Sequence, residues 1–172
     1  MLKKIYPEYN YIPQTKFENN EPNSIQLKGL TAGMSYHLAG CCSPIVGDNI
    51  VGIVTAGIGV AVHTIDCQTL ISYQDTPERW LNVSWDSKSK INTSSNARII
   101  VVLKNIPGSL GKVTTVIAKN NGNISNINFS VRKIDFFEII IDIEVRDANH
   151  LQNIIAALRM EKEVSSLERL KG

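Results

Sequence analysis

The chain has 172 residues, room for one domain or two small ones, and its 43% hydrophobic and 20% charged content is that of a globular protein. A net charge of +2 is too small to announce a polyanion or a membrane surface as partner. The start, Met1-Leu2-Lys3-Lys4, leads to Tyr6 and Pro7 with no apolar core of a signal peptide, and the longest apolar stretch, Ile50 to Val62, is about half a membrane span and holds three glycines.

Taken in order, residues 1–28 are polar and aperiodic and read as a loosely structured lead-in. Residues 29–86 form a first, glycine-rich module. It is expected to hold strands at Ile50–Thr55 and Gly59–His63, joined through Thr55-Ala-Gly57-Ile-Gly59, and a closing strand across Trp80–Trp85. Residues 87–97 are a serine-rich linker. In residues 98–172 the apolar run Ile99–Leu103 predicts a central strand. The turn Asn105-Ile-Pro107-Gly108 leads to a helix with Leu110, Val113, Val116 and Ile117 on one face. Asn121-Gly122 ends that helix, with the glycine expected in the left-handed conformation. Alternation at Ile127, Phe129 and Val131, and again from Phe137 to Val145, predicts a hairpin with one wet face. Asp147 is positioned to cap a helix carrying Leu151, Ile154, Ile155 and Leu158, and a short strand follows near Val164–Leu167. The order βαββαβ is the ferredoxin-like arrangement, so the class is α+β: a small β-rich module, then a split-βαβ domain.

The cysteines are confined to one stretch, Cys41, Cys42 and Cys67, with His37 and His63 among them. An odd number with two adjacent is a poor disulfide framework, which favours a reducing compartment, the cytoplasm, and thiols free for metal. Five candidate ligands then compete for the four corners of a zinc site; His63 and Cys67, four apart, face one way if Thr64 starts a helical turn. The competing reading is that the thiols pack as small hydrophobes and the imidazoles only hydrogen-bond. Ser-His-Asp and Cys-His nucleophile chemistry needs a base positioned by the fold, and the same residues serve better as ligands; Gly57-Ile-Gly59 lacks the third glycine and the helix of a dinucleotide loop.

The segment Gly40-Cys41-Cys42-Ser-Pro44-Ile-Val-Gly47-Asp48, followed by Gly57-Ile-Gly59-Val-Ala-Val-His63 and Cys67, resembles the conserved-cysteine, zinc-finger-like module of the RelA/SpoT homologues, which make and hydrolyse the alarmone ppGpp. The βαββαβ unit with Ile106-Pro107-Gly108-Ser-Leu110 resembles the ACT domain that closes those enzymes. The resemblance implies zinc on Cys41, Cys42, His63 and Cys67, leaving His37 as a rival. It also implies a small effector, typically an amino acid, at Asn105, Gly108, Ser109 and Leu110, and homodimerisation through the ACT half. Hydrolase and synthetase domains, and the His-Asp metal pair of the former, are not seen in this sequence. The expectation is therefore a non-catalytic regulatory fragment of the stringent response, acting on a separate ppGpp synthetase/hydrolase chain. The alternatives are a stand-alone amino-acid-sensing ACT protein or a ribosome-binding fragment. For the last, the chain carries no Lys or Arg from Thr31 to Leu70, and Ile58 stands where family members usually place a basic residue, so phosphate contacts from that turn are not expected.

Overall fold

A computed structural model describes residues 27–31, 33–86 and 94–171. The expected lead-in, apart from its last two residues, and most of the expected linker lie outside the described residues.

The first domain begins with β1 (Leu27–Lys28), β2 (Tyr36–Leu38), β3 (Ile50–Thr55) and β4 (Gly59–Thr64). Strands β3 and β4 form the anticipated hairpin, with Thr55 opposite Gly59 and the turn closed by the Ile58 N–H on the Thr55 carbonyl. After two 3-10 turns, Gln68–Tyr73 and Pro77–Arg79, come β5 (Trp80–Leu81) and β6 (Ser84–Trp85). The single strand expected across Trp80–Trp85 is thus two. The chain changes sheets at Asn82–Val83: β5 pairs with β3 in a sheet ordered β2-β4-β3-β5, and β6 pairs with β1. Val83 turns into the core at the break. Alternation alone cannot distinguish one strand from two short ones that share a pleat.

Apolar burial in this domain is divided. Ile50, Val60, Val62 and Val83 make one small group, and Ala39, Cys42, Ile53, Cys67 and Leu70 another. Neither approaches the size of the core in the second domain.

That second domain is built from β7 (Ser95–Lys104), α1 (Ser109–Lys119), β8 (Asn123–Arg132), β9 (Phe136–Val145), α2 (Ala148–Arg159) and β10 (Val164–Leu170). Its antiparallel sheet runs β10-β7-β9-β8, with β7 and β9 central, which is the ferredoxin-like α+β arrangement. Strand β7 starts four residues before Ile99, because Ala97 continues the inward series Ile99, Val101 and Leu103 and Ser95 pairs with Val145. The polar residues between had hidden that extension. Facing these are Ile139, Ile141 and Ile143 of β9, Val113 and Ile117 of α1, and Leu151, Ile154 and Leu158 of α2. Asp147 caps α2, accepting the His150 N–H at 2.7 Å.

The end of α1 differs from expectation in an informative way. Asn121 has φ 60° and is the left-handed residue; Gly122 is not. The Asn121 N–H reaches the Ala118 carbonyl and the Gly122 N–H reaches that of Ile117, a Schellman closure. Glycine is needed at 122 for room, since a Cβ would lie 2.9 Å from Ile117 Cγ2 and from Ile154 Cδ1. Gly122→Ala is therefore expected to destabilise this domain by about 1–3 kcal/mol through overpacking, while Asn121→Gly is tolerated. Denaturant unfolding of the two variants checks the contrast.

Candidate metal centre and effector pocket

The four ligand candidates reach one point from three places. Cys41 and Cys42 lie in the turn after β2, His63 near the end of β4, and Cys67 just before the first 3-10 turn. The sharp turn that lets adjacent cysteines point together spans 39–43: the Cys42 and Ser43 N–H groups both bond to the Ala39 carbonyl, and Ser43 has φ 41°. Pro44 and Gly47 lie beyond that turn. His63 and Cys67 are brought to one side by a single turn closed by the Cys67 N–H on the Thr64 carbonyl, with Thr64 still in β4.

The donor atoms of Cys41, Cys42, His63 and Cys67 all lie within 4.8 Å of one another. Cys41 Sγ is 3.4 Å from His63 Nδ1 and 3.5 Å from Cys67 Sγ, and Cys42 Sγ is 3.8 Å from His63 Nδ1. Zinc bond lengths of about 2.3 Å to sulfur and about 2.0 Å to nitrogen place tetrahedral ligands roughly 3.5–3.8 Å apart. The donors therefore stand near the corners a zinc ion requires, and far beyond the ~2.05 Å of a disulfide. His37 is exposed on β2, opposite Ala61, and is not in the group.

The surroundings suit thiolate ligands. The Thr64 N–H donates to Cys42 Sγ at 3.4 Å. At Cys67, burial pushes the thiol up, but hydrogen bonds from His63, from the hydroxyl and N–H of Thr69, and from Cys41 outweigh it, and the net pKa is lowered to about 6. Cys42 is the opposite case: burial, beyond what Thr64 offsets, raises it to about 11. One thiolate is thus favoured without metal, while the second awaits a cation. Four protein donors leave no open coordination position, so the set fits a structural zinc and not a hydrolytic one.

A second feature lies at the start of α1. A pocket of about 380 Å³ opens between the β7–α1 loop and β8, lined by Asn105, Gly108, Leu110, Phe129, Arg132 and Phe137 among others. Of the four expected effector residues, three line it. Ser109 does not: it is 1% exposed, and its Oγ has no hydrogen-bond partner among the described residues. Asn105 also braces the far hairpin, its Nδ2 donating to the carbonyls of Lys133 and Ile134. Sequence reasoning missed Arg132, whose guanidinium lies 4.2 Å from the Phe129 ring centroid and gives the pocket a cation. No local spacing marks it. The only available signal was the βαββ order, which returns the end of β8 to the β7–α1 loop.

Comparison with known proteins gives these sites a context. Residues 25–86 match the RelA/SpoT RIS domain and residues 92–169 the ACT domain. The chain is 41% identical over 128 residues to the "GTP pyrophosphokinase rsh" of Brucella suis biovar 1 (strain 1330), covering 74% of this chain and 17% of that protein. To the GTP pyrophosphokinase of Escherichia coli (strain K12) it is 30% identical over 173 residues, covering 99% of this chain and 22% of the relative. It thus spans only about a fifth of the length of these relatives. Among solved structures, the crystal structure of the ACT domain from the Chlorobium tepidum GTP pyrophosphokinase matches with TM-score 0.41 and 29% identity, covering 45% of this chain and 100% of that one. Residues 25–86 are thus a RelA/SpoT RIS domain and residues 92–169 an ACT domain, homologous together to the regulatory C-terminal region of the RelA/SpoT-type GTP pyrophosphokinases.

Proposed function

We propose that this chain is a non-catalytic regulatory unit of ppGpp metabolism. Its RIS domain holds one structural zinc on Cys41, Cys42, His63 and Cys67, and its ACT domain takes a small effector and pairs with a second copy. The observation that carries the reading is the four-donor cluster, closed and tetrahedrally spaced, inside a domain with little other core. When bound, zinc supplies folding free energy that the two small apolar groups do not. A ppGpp synthetase/hydrolase catalytic chain in the cytoplasm is the partner that best fits such a unit. Among the described residues no helix is long and apolar enough to cross a membrane.

The pocket supports the sensing half. Its volume of about 380 Å³ falls within the roughly 300–1,000 Å³ range of small-molecule sites. The start of α1 lacks a side-chain cap, and Arg132 stands on the opposite wall, so an amino-acid carboxylate finds donors on both sides. The ribosome has weaker support. The described part of the RIS domain has two basic side chains against Asp48, Asp66, Asp75, Glu78 and Asp86. Lys28 pairs with Asp86 at 3.4 Å. Arg79 is spent internally: its Nε donates to the Val54 carbonyl at 2.9 Å and its guanidinium lies 4.8 Å from the Tyr73 ring centroid. Phosphate contacts need free cations.

The test is to mix the zinc-loaded chain with a separately expressed GTP pyrophosphokinase catalytic half. A stoichiometric complex with altered ppGpp synthesis or hydrolysis is expected; no complex at micromolar concentration contradicts the partner. Metal analysis should give one zinc per chain, lost in His63→Ala and Cys67→Ser, with a lower melting temperature after chelation. An amino-acid ligand should raise the melting temperature of the wild type but not of Leu110→Trp, which fills the pocket. If the thermal shift survives that substitution, the effector binds elsewhere.

A further inference from the structure

Half of the cysteine motif takes no part in the metal cluster. Pro44 to Asp48 follow Cys42 within a few residues, and the structure sends them out of their own domain. Ile45 is 2% exposed and packs in the apolar core of the ACT domain, not in either group of the RIS domain. The Val46 carbonyl accepts the Ala148 N–H at 2.8 Å, satisfying one of the free donors in the first turn of α2. Gly47 follows with φ 92°, a conformation that costs glycine little, and its α-carbon faces the Ala148 methyl. Asp48 completes the contact. Its two carboxylate oxygens each take a guanidinium nitrogen of Arg169 on β10, at 2.8 Å.

That carboxylate has further duties. Asp48 Oδ2 also accepts the Ile45 N–H at 2.8 Å, which shapes the knob, and Arg169 donates to the Ser43 carbonyl at 3.2 Å, which ties it to the cysteine turn. The Asp48 carbonyl accepts from Trp85 Nε1 at 2.8 Å, anchoring the last strand of the RIS domain. Both side chains of the ion pair are only 12% exposed. A bidentate, desolvated pair with its remaining acceptor filled is a specific fastener, and removing one partner strands the other charge.

We propose that Ile45–Asp48 is an interdomain coupling knob, through which filling of the Cys41/Cys42/His63/Cys67 cluster is linked to the start of α2 and to β10 of the ACT domain. Two of the candidate ligands sit on the turn that presents the knob, and that turn holds Ser43 at φ 41°, uncommon for a residue other than glycine. Ligation at Cys41 and Cys42 fixes the turn and so seats Ile45 and Asp48; without metal the turn relaxes and the seating loosens. Linkage is reciprocal, so a docked ACT domain raises the metal affinity of the cluster by the same factor. The metal half of this inference rests on the zinc reading above, whereas the docking half does not.

Amide hydrogen exchange on the whole chain, zinc-loaded and in chelator, for the wild type, Arg169→Met and Asp48→Asn, tests both halves. In the wild type, metal removal should speed exchange at residues 45–48, at Ala148 and along β10 by about tenfold or more. Arg169→Met and Asp48→Asn should show that faster exchange even with zinc bound, keep their bound zinc, and pass no further metal effect to β10. A variant that transmits the metal effect as the wild type does overturns the coupling. A wild-type chain that takes up no zinc overturns the metal half together with the zinc reading. The comparison in chelator then decides docking alone, and unchanged exchange at Ala148 in both variants overturns it.

Discussion

The turn from Ala39 to Asp48 is the constraint on which both domains depend. It must bring two adjacent thiols to one point and then, within a few residues, place an isoleucine and a carboxylate against the neighbouring domain. The two small apolar groups around β3 and β4 bury too little side chain to fix such a turn by packing alone. Cys42 and Cys67 belong to one of the two small cores of the RIS domain, so groups that fill that core are also candidate metal ligands. On the zinc reading proposed above, metal ligation and core formation would be one event in this domain. The ACT domain is the reverse case: its helices and sheet close over a continuous aliphatic core, and it owes its fold to burial.

What could be read from the sequence follows from which signals are local. The ACT order was legible because period-2 strands and 3.6-period helices alternate cleanly there, and because Asp147 is an ordinary cap. Residue type and clustering made five candidate ligands legible, and the set Cys41, Cys42, His63 and Cys67 was implied by the resemblance; the turn at Ala39–Ser43 that joins the adjacent cysteines was not legible. Gly122 was correctly marked as special for the wrong reason: its need is space beside Ile117 and Ile154, which no local pattern reports. The split of Trp80–Trp85 between two sheets was invisible for a similar reason, since pairing partners are tertiary facts. Asp48 and Arg169 stand 121 residues apart, and nothing near either one announces the other. Arg132 was missed because its relation to the effector loop exists only after the sheet has formed.

Electrostatics separates the candidate roles. The RIS domain spends its arginine on a carbonyl and a tyrosine ring, and pairs its lysine, which leaves little to neutralise phosphate. The ACT pocket keeps Arg132 at its wall with an apolar floor from Phe129 and Phe137, a composition suited to a small zwitterion. The cysteine-histidine cluster and the pocket at the start of α1 lie in different domains, and the buried Asp48–Arg169 pair joins those domains.

Zinc-edge X-ray absorption on the metal-loaded chain tests the central claim most directly. The account predicts a first shell of three sulfurs at about 2.3 Å and one nitrogen at about 2.0 Å, unchanged in His37→Ala and altered in Cys41→Ser. A shell dominated by oxygen and nitrogen, or one that loses its nitrogen in His37→Ala, would contradict it.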